Sequence, residues 1–279
     1  MTQNNNQIKL NTQSCQIAVT GSAVFHGDCL EIMKSIPDCS IDMILCDLPY
    51  GTTRCKWDII IPYNELWEQY NRIRKNDCVV VLFGNEPFSS FLRISNIKNY
   101  RYDLIWKKNR PSGAILAKKQ PMRNHEKIHI FYNGKFNPIK ENRDIPSLKG
   151  KKFTPSQYRS HGNKITGHDY KMDELKLQTI TRNPTTVLKF DSVDNSKGRL
   201  HSTQKPVALL EYLIKTHSNE GDLILDNCAG SGTTAIACLN TKRNYILMEK
   251  EKKYFDIINE RIDKYKEQKA GEFDFENAY

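Results

Sequence analysis

The chain predicts an α/β fold built on a mostly parallel, doubly wound sheet. Short apolar, β-branched runs alternate with stretches whose apolar residues recur at helical spacing. A glycine-rich loop stands between one such strand and the helix after it, in "LILDNCAGSGTTA". The run "SIDMILCD" is too uniformly apolar for a strand with a wet face, which makes it central and covered on both sides.

The elements follow in order. After a polar start, "AVFHGD" reads as a short strand ending at Asp28, and "CLEIMKSI" as a helical turn or two. "SIDMILCD" is the first strong strand. "YNELWEQYNRIRK" carries Leu66, Trp67, Tyr70 and Ile73 at helical spacing, and "DCVVVLFG" follows as a strand stopped by glycine. "YDLIWKK" and "EKIHIFYNG" are further strands, the second closed by an Asn-Gly turn signal. From about 133 to 200, Lys, Asn, Ser, Thr and Pro dominate and apolar periodicity fades, as expected of loops and short elements inserted into a core. Pro206 then opens the helix "VALLEYLIKTHS". "GDLILD" is a buried strand, "SGTTAIACLNTK" a helix, "NYILME" a strand and "KKYFDIINERIDKY" an amphipathic helix. The expected divisions are a polar segment 1–24, a first half 25–132, an insert 133–200, a second half 201–265 and a charged, frayed tail 266–279.

Charge is unevenly placed. Residues 98–199 hold 23 Lys and Arg against 9 Asp and Glu, whereas the rest of the chain is slightly acidic. A basic middle suits a polyanion, with nucleic acid first. Hydrophobic residues at 38% and charged residues at 27% are globular proportions, against wholesale disorder. No apolar run approaches the roughly 18–20 residues that span a bilayer, so no membrane partner is expected. "MTQNNNQIKLNTQ" lacks the basic-then-apolar order of a secretory signal, and a cytoplasmic location is expected. The eight cysteines include no CxxC, and Cys46, Cys78 and Cys228 lie in or beside apolar runs, as structural thiols do.

In Gly230-Ser231-Gly232-Thr233-Thr234-Ala235 the glycines let backbone approach a ligand, and the following helix offers unpaired N–H groups. Glu249 ends the next strand, placed to accept hydrogen bonds from ribose hydroxyls. Both features suit an adenosine-based ligand, and the string satisfies GxGxx(G/A), so a nicotinamide dinucleotide is the first rival. Asp226 before the loop would repel a pyrophosphate but could hold an amino group. S-adenosyl-L-methionine, with an amino acid head and an adenosine tail, fits it better.

"ILCDLPYG" raises a second site. Ligands of parallel sheets bind beyond the carboxyl ends of strands at a switch point. With the 41–46 strand beside the 222–226 strand, Asp47-Leu48-Pro49-Tyr50 faces the glycine loop across one crevice. Pro49 holds Leu48 extended. The Leu48 carbonyl can then join the Asp47 carboxylate as a pair of acceptors matching the two hydrogens of an exocyclic amine. Tyr50 offers a face for base stacking, worth about 1–3 kcal/mol.

These motifs in this order resemble the amino-group DNA methyltransferases of the β order, and within them the phage-type adenine-N6 enzymes. The likeness runs from about His26 to Arg261 through "GDCLE", "DLPYGTTRCKWD", "VVVLFGNEPFSS", "HEKIHIFY", "HSTQKPVALLEYLI", "DNCAGSGTTA" and "YFDIINERI". It implies a Rossmann-like methyltransferase fold, permuted so that the catalytic half precedes the cofactor half, with the insert as target-recognition region. Asp47, Leu48, Pro49 and Tyr50 would hold the target adenine of double-stranded DNA, flipped from the stack. S-adenosyl-L-methionine would be held by Asp28 and Cys29 at its adenine, Glu249 at its ribose, and Gly230, Ser231 and Gly232 behind its methionine part, with Asp226, Cys228, Ala229, Thr233, Thr234 and Lys250 also contacting it. His201, Ser202, Thr203, Gln204, Lys205 and Pro206 would lie over its methionine end. In the insert, Lys149, Lys151, Lys152, Arg159 and Arg182 are candidates for DNA phosphate contacts. A homodimer and a cognate restriction endonuclease are expected by analogy alone. Leu48 departs from the proline common in the wider group, and Asn227 and Cys228 from proline and phenylalanine.

"HEKIH" (His125–His129) matches the zinc pattern HExxH, but its flanks favour a strand, on which positions four apart are separated by roughly 13 Å. No metal is expected. The competing functions are N4-cytosine methylation, RNA or protein amide methylation, a nicotinamide oxidoreductase and an inactive DNA-binding module.

Overall fold

The computed structural model describes residues 21–53, 55, 57–142, 181–193 and 204–276. The first half runs β1 (Ala23–His26), α1 (Cys29–Met33), β2 (Ile41–Cys46), α2 (Tyr63–Ile73), β3 (Arg74–Gly84), α3 (Phe88–Ser95), β4 (Tyr100–Ser112) and β5 (Arg123–Phe131). Two short antiparallel strands, β6 (Glu141–Asn142) and β7 (Thr181–Arg182), belong to a separate compact unit, Pro138–Thr185. The main unit resumes with β8 (Val187–Lys189), α4 (Val207–His217), β9 (Leu223–Asp226), α5 (Thr233–Asn240), β10 (Asn244–Glu249) and α6 (Lys252–Glu276).

Eight strands form the main sheet in the order β1-β10-β9-β2-β3-β5-β4-β8. The five from β1 to β3 are mutually parallel. β5 then runs antiparallel to both β3 and β4. All six residues of β2 are buried, as its apolar run requires of a central strand. Its side chains alternate between two cores. Ile44 and Cys46 pack with residues of α1, α2 and α3, and Met43 and Leu45 with residues of α4, α5 and α6.

On α2 the buried residues are Leu66, Trp67, Tyr70 and Ile73, the helical set read from the sequence. Arg72 on the same helix donates to the Met33 and Ile36 carbonyls at 2.7 Å each, satisfying acceptors at the end of α1.

The structure departs from the expected element list in three places. "FSSFLRIS" forms α3, which the sequence reading passed over. It is only eight residues, about two turns, and Phe88 and Leu92 are buried while Phe91 and Ile94 are exposed. β8 joins the main sheet from inside the stretch read as irregular; it is three residues long with only Leu188 buried, too short to leave a period. The last helix continues through Glu276 rather than giving way to a frayed tail, in a sequence rich in the strong helix formers Lys, Glu and Gln. Among the described residues no helix is long and apolar enough to cross a membrane.

Candidate active site

β2 lies beside β9, with Met43 opposite Ile224 and Ile44 opposite Leu225. From that pair the chain order runs outward both ways, to β3 on one side and β10 on the other. The switch point therefore falls between β2 and β9, where a doubly wound sheet leaves a ligand crevice. An open crevice of about 720 Å³ lies there. Asp47, Leu48, Pro49 and Tyr50 line one part of it, and Asp226, Cys228, Ala229, Gly230, Ser231, Thr233 and Thr234 another. Asp28, Cys29, Glu249 and Lys250, at or just past the ends of β1 and β10, complete the glycine-loop side.

The Asp47 side is a small charged cluster. Tyr50 Oη donates to Asp47 Oδ1 at 2.6 Å, and the Lys205 ammonium contacts Oδ2. Lys205 also lies 3.4 Å from Glu126 Oε2, and Lys108 contacts Glu126 Oε1. Burial pushes the Asp47 carboxyl above its ordinary range; Lys205 pulls it back and Glu126 pushes it further. Burial alone would discharge Lys205, but the Asp47 and Glu126 carboxylates outweigh it and hold the ammonium. Burial raises the Tyr50 hydroxyl well above its usual range, so it stays a donor. One face of the Tyr50 ring stacks on Phe88, centroids 4.8 Å apart. Asp58 braces the following loop by accepting from the N–H groups of Gly51, Thr52 and Thr53 at 2.6–2.9 Å.

On the glycine-loop side the acids hold the backbone. Asp226 accepts from Thr234 Oγ1 at 2.5 Å and from the Cys228 N–H at 3.1 Å. Glu249 accepts from the Gly230 and Glu251 N–H groups, both at 2.8 Å. Asp28 caps α1 through the Leu30 N–H and meets Lys250 at 3.1 Å. Asn227, where proline is usual, is buried and accepts from the Tyr70 hydroxyl at 2.5 Å, so a polar pair fills that space. Gly232 does not line the crevice. It is the left-handed cap of α5, with φ 75°, and a Cβ there would sit 2.9 Å from Ile258 Cγ1.

Of the "HSTQKP" residues, Gln204 and Lys205 line the crevice and Pro206 caps α4, while His201, Ser202 and Thr203 lie outside the described residues. The Lys205 ammonium is on Asp47, at the clamp rather than over the glycine loop. Lys149, Lys151, Lys152 and Arg159 are also outside the described residues, and Arg182 pairs with Glu141 at 3.1 Å. "HEKIH" lies on β5, as its flanks predict: His129 is buried against Ser89 Oγ at 2.9 Å and His125 is exposed. The sequence reading missed Glu126, Lys108 and Asp58. Glu126 carried a signal, since on a strand it shares a face with the core residues Ile128 and Ile130.

A profile of the DNA methylase family that takes in N6 and N4 enzymes matches residues 41–260, most of the chain. The chain belongs to the DNA methylase family. Two curated relatives of this DNA methylase are type II methyltransferases. M.HinfI of Haemophilus influenzae is 25% identical over 277 residues, covering 86% of this chain and 68% of the relative. M.HpaI of Haemophilus parainfluenzae is 26% identical over 246 residues, covering 84% and 72%. Among solved structures, the DNA methylase shares its fold with the M1.HpyAVI–SAM complex (TM-score 0.56, 22% identity, 86% of this chain and 98% of that one). It is likewise similar to the cytosine-N4-specific PvuII DNA methyltransferase (TM-score 0.59, 14% identity, 86% of each chain).

Proposed function

We propose that this protein transfers a methyl group from S-adenosyl-L-methionine to the N6 amine of a specific adenine in double-stranded DNA. The observation that carries the reading is one crevice shared by the Asp47–Tyr50 turn and the glycine loop. Membership of the DNA methylase family supports the reaction class, and an acid at position 47 favours adenine by resemblance.

The residues fit the cofactor. Asp226 is a nearly buried carboxylate suited to a cationic head. Glu249 and Asp28 each keep acceptor capacity at the crevice after holding backbone N–H groups. When bound, S-adenosyl-L-methionine supplies an electrophilic sulfonium methyl. Ser231, Gly230 and Thr233 would back its methionine part, Glu249 and Lys250 its ribose, and Asp28 and Cys29 its adenine.

The chain's own residues do the rest. A duplex hides the N6 amine, so the base must leave the stack, costing a few kcal/mol. The Tyr50 ring would receive it on the face not packed on Phe88. Asp47 and the Leu48 carbonyl would accept its two amine hydrogens, which raises electron density on a nitrogen whose lone pair is otherwise drawn into the ring. Pro49 keeps the turn from offering a competing N–H. Holding amine and methyl donor in line supplies much of the acceleration. The segment 133–200 would read the target, with Lys149, Lys151, Lys152, Arg159 and Arg182 on phosphates.

The test is nucleoside analysis of duplex DNA incubated with the purified protein and labelled cofactor. N6-methyladenine is expected. N4-methylcytosine would move the reaction to the other amine that fits the clamp, and unmodified DNA would overturn the proposal.

A further inference from the structure

The clamp acid already carries two donors before any amine arrives. Both Asp47 oxygens are engaged, Oδ1 by the Tyr50 hydroxyl and Oδ2 by the Lys205 ammonium. An entering amine therefore meets a carboxylate whose charge is already drawn toward an ammonium, which weakens it as an acceptor. A second acceptor stands beside it: Glu126 Oε2 lies 3.4 Å from Lys205 Nζ, yet makes no hydrogen bond among the described residues. The Lys205 and Glu126 side chains are 8% and 10% exposed, so solvent neither screens the pair nor satisfies the open oxygen. The other Glu126 oxygen is fixed by Lys108 from β4, which keeps the carboxylate aimed at the clamp.

Topology puts these residues there. β5 runs antiparallel to β3, with Lys127 opposite Gly84, so the start of β5 reaches the edge where the parallel strands end. Trp106 pairs with Glu126, which brings the last part of β4, and Lys108, to the same edge. Lys205 precedes α4 by two residues and is aimed at the crevice across the Phe83 ring, 5.0 Å away.

We propose that Lys205 and Glu126 are positioning residues for the methyl acceptor. The Lys205 ammonium rests on Asp47 in the free protein and passes to Glu126 Oε2 as the target amine docks, leaving Asp47 ionised with Oδ2 open to the amine. This rests on the reading of Asp47 as the amine clamp. The groups facing Asp47 are Tyr50 from its own turn, Cys46 at the end of β2, Asp226 at the end of β9, Glu126 from β5 and Lys205 from the approach to α4. Only Lys205 among them is a cation. Without it, Asp47 faces two acids and takes a proton more readily. Without the Glu126 charge, Asp47 is held more firmly ionised and Lys205 has no second berth.

The two side chains therefore predict opposite pH effects. The experiment measures methyl transfer to duplex DNA across pH, by single-turnover rates and by steady-state kcat and KM, with the full-length chain and its Lys205→Met, Lys205→Arg and Glu126→Gln variants. The acid limb should move to higher pH by about one unit in Lys205→Met and return toward wild type in Lys205→Arg. In Glu126→Gln it should move to lower pH, while the rate plateau falls about tenfold with little change in KM for DNA. Should Lys205→Met fail to fold, the Glu126→Gln shift and the KM-against-kcat split decide alone. Limbs that stay in place, or that move the same way in both variants, would overturn the proposal. Absence of transfer by the wild-type chain would instead count against the methyltransferase reading itself.

Discussion

Asp226 carries the raised carboxyl that a pH experiment reaches most easily. Burial lifts it from an ordinary 3.8 to about 6, against the pull of Thr234 and the Cys228 N–H. Since the folded form holds this proton more tightly than the unfolded chain, the group costs stability as pH rises from about 4 to about 6. A cationic ligand beside it would expel the proton. Calorimetry of S-adenosyl-L-methionine binding near pH 6, in buffers of differing ionisation enthalpy, should show release of about half a proton per site; buffer-independent heats would mean the cation sits elsewhere. Asp47 and Tyr50 were legible in the sequence because an acid, a proline turn and an aromatic interrupt a run that should stay apolar. Glu126 and Lys205 were not. The strand period of "HEKIH" was readable and argued against zinc, but the face that period gives Glu126 means nothing until β5 is known to reach the crevice. Lys205 sat in a motif whose resemblance implied the cofactor, and only side-chain placement puts it on the acid.

Among the elements, the β9–α5 connection makes the strictest demand on sequence. Gly232 is left-handed and packs where a Cβ would meet Ile258 at 2.9 Å. Gly232→Ala should cost about 1–3 kcal/mol of stability, read as a lower urea midpoint with unchanged slope. An unchanged midpoint would show that α6 yields easily. The glycine loop announced itself because tight strand–helix turns leave few residue choices. The parallel core was equally readable, since strands covered on both faces are apolar throughout. The failures have a common cause. α3 is only two turns long, β8 is too short for a period, and the last turns of α6 come from a stretch rich in charged helix formers without apolar periodicity. In each, the alternation that makes secondary structure visible in a sequence is too short or too weak to read.

For the whole molecule, the charge distribution suits a polyanionic partner. The stretch 98–199, with 23 basic and 9 acidic residues, gives the protein a basic middle. If three of those cations neutralise phosphates, DNA affinity should fall roughly 40-fold between 50 and 200 mM salt. A flat profile would remove duplex DNA as the partner. The pairing of β2 with β9 is what brings the clamp and the glycine loop, 180 residues apart in the chain, to one crevice, and the sequence reading relied on that pairing. If the two are separate halves of one reaction, acid 47 serves the amine and the loop serves the methyl donor. Asp47→Ala separates them, by calorimetric cofactor affinity and labelled-methyl transfer on the same preparation. Cofactor affinity should stay within about threefold of wild type while transfer falls by at least 100-fold, roughly 2.7 kcal/mol of lost transition-state stabilisation. Transfer at the wild-type rate would show that acid 47 does not serve the amine.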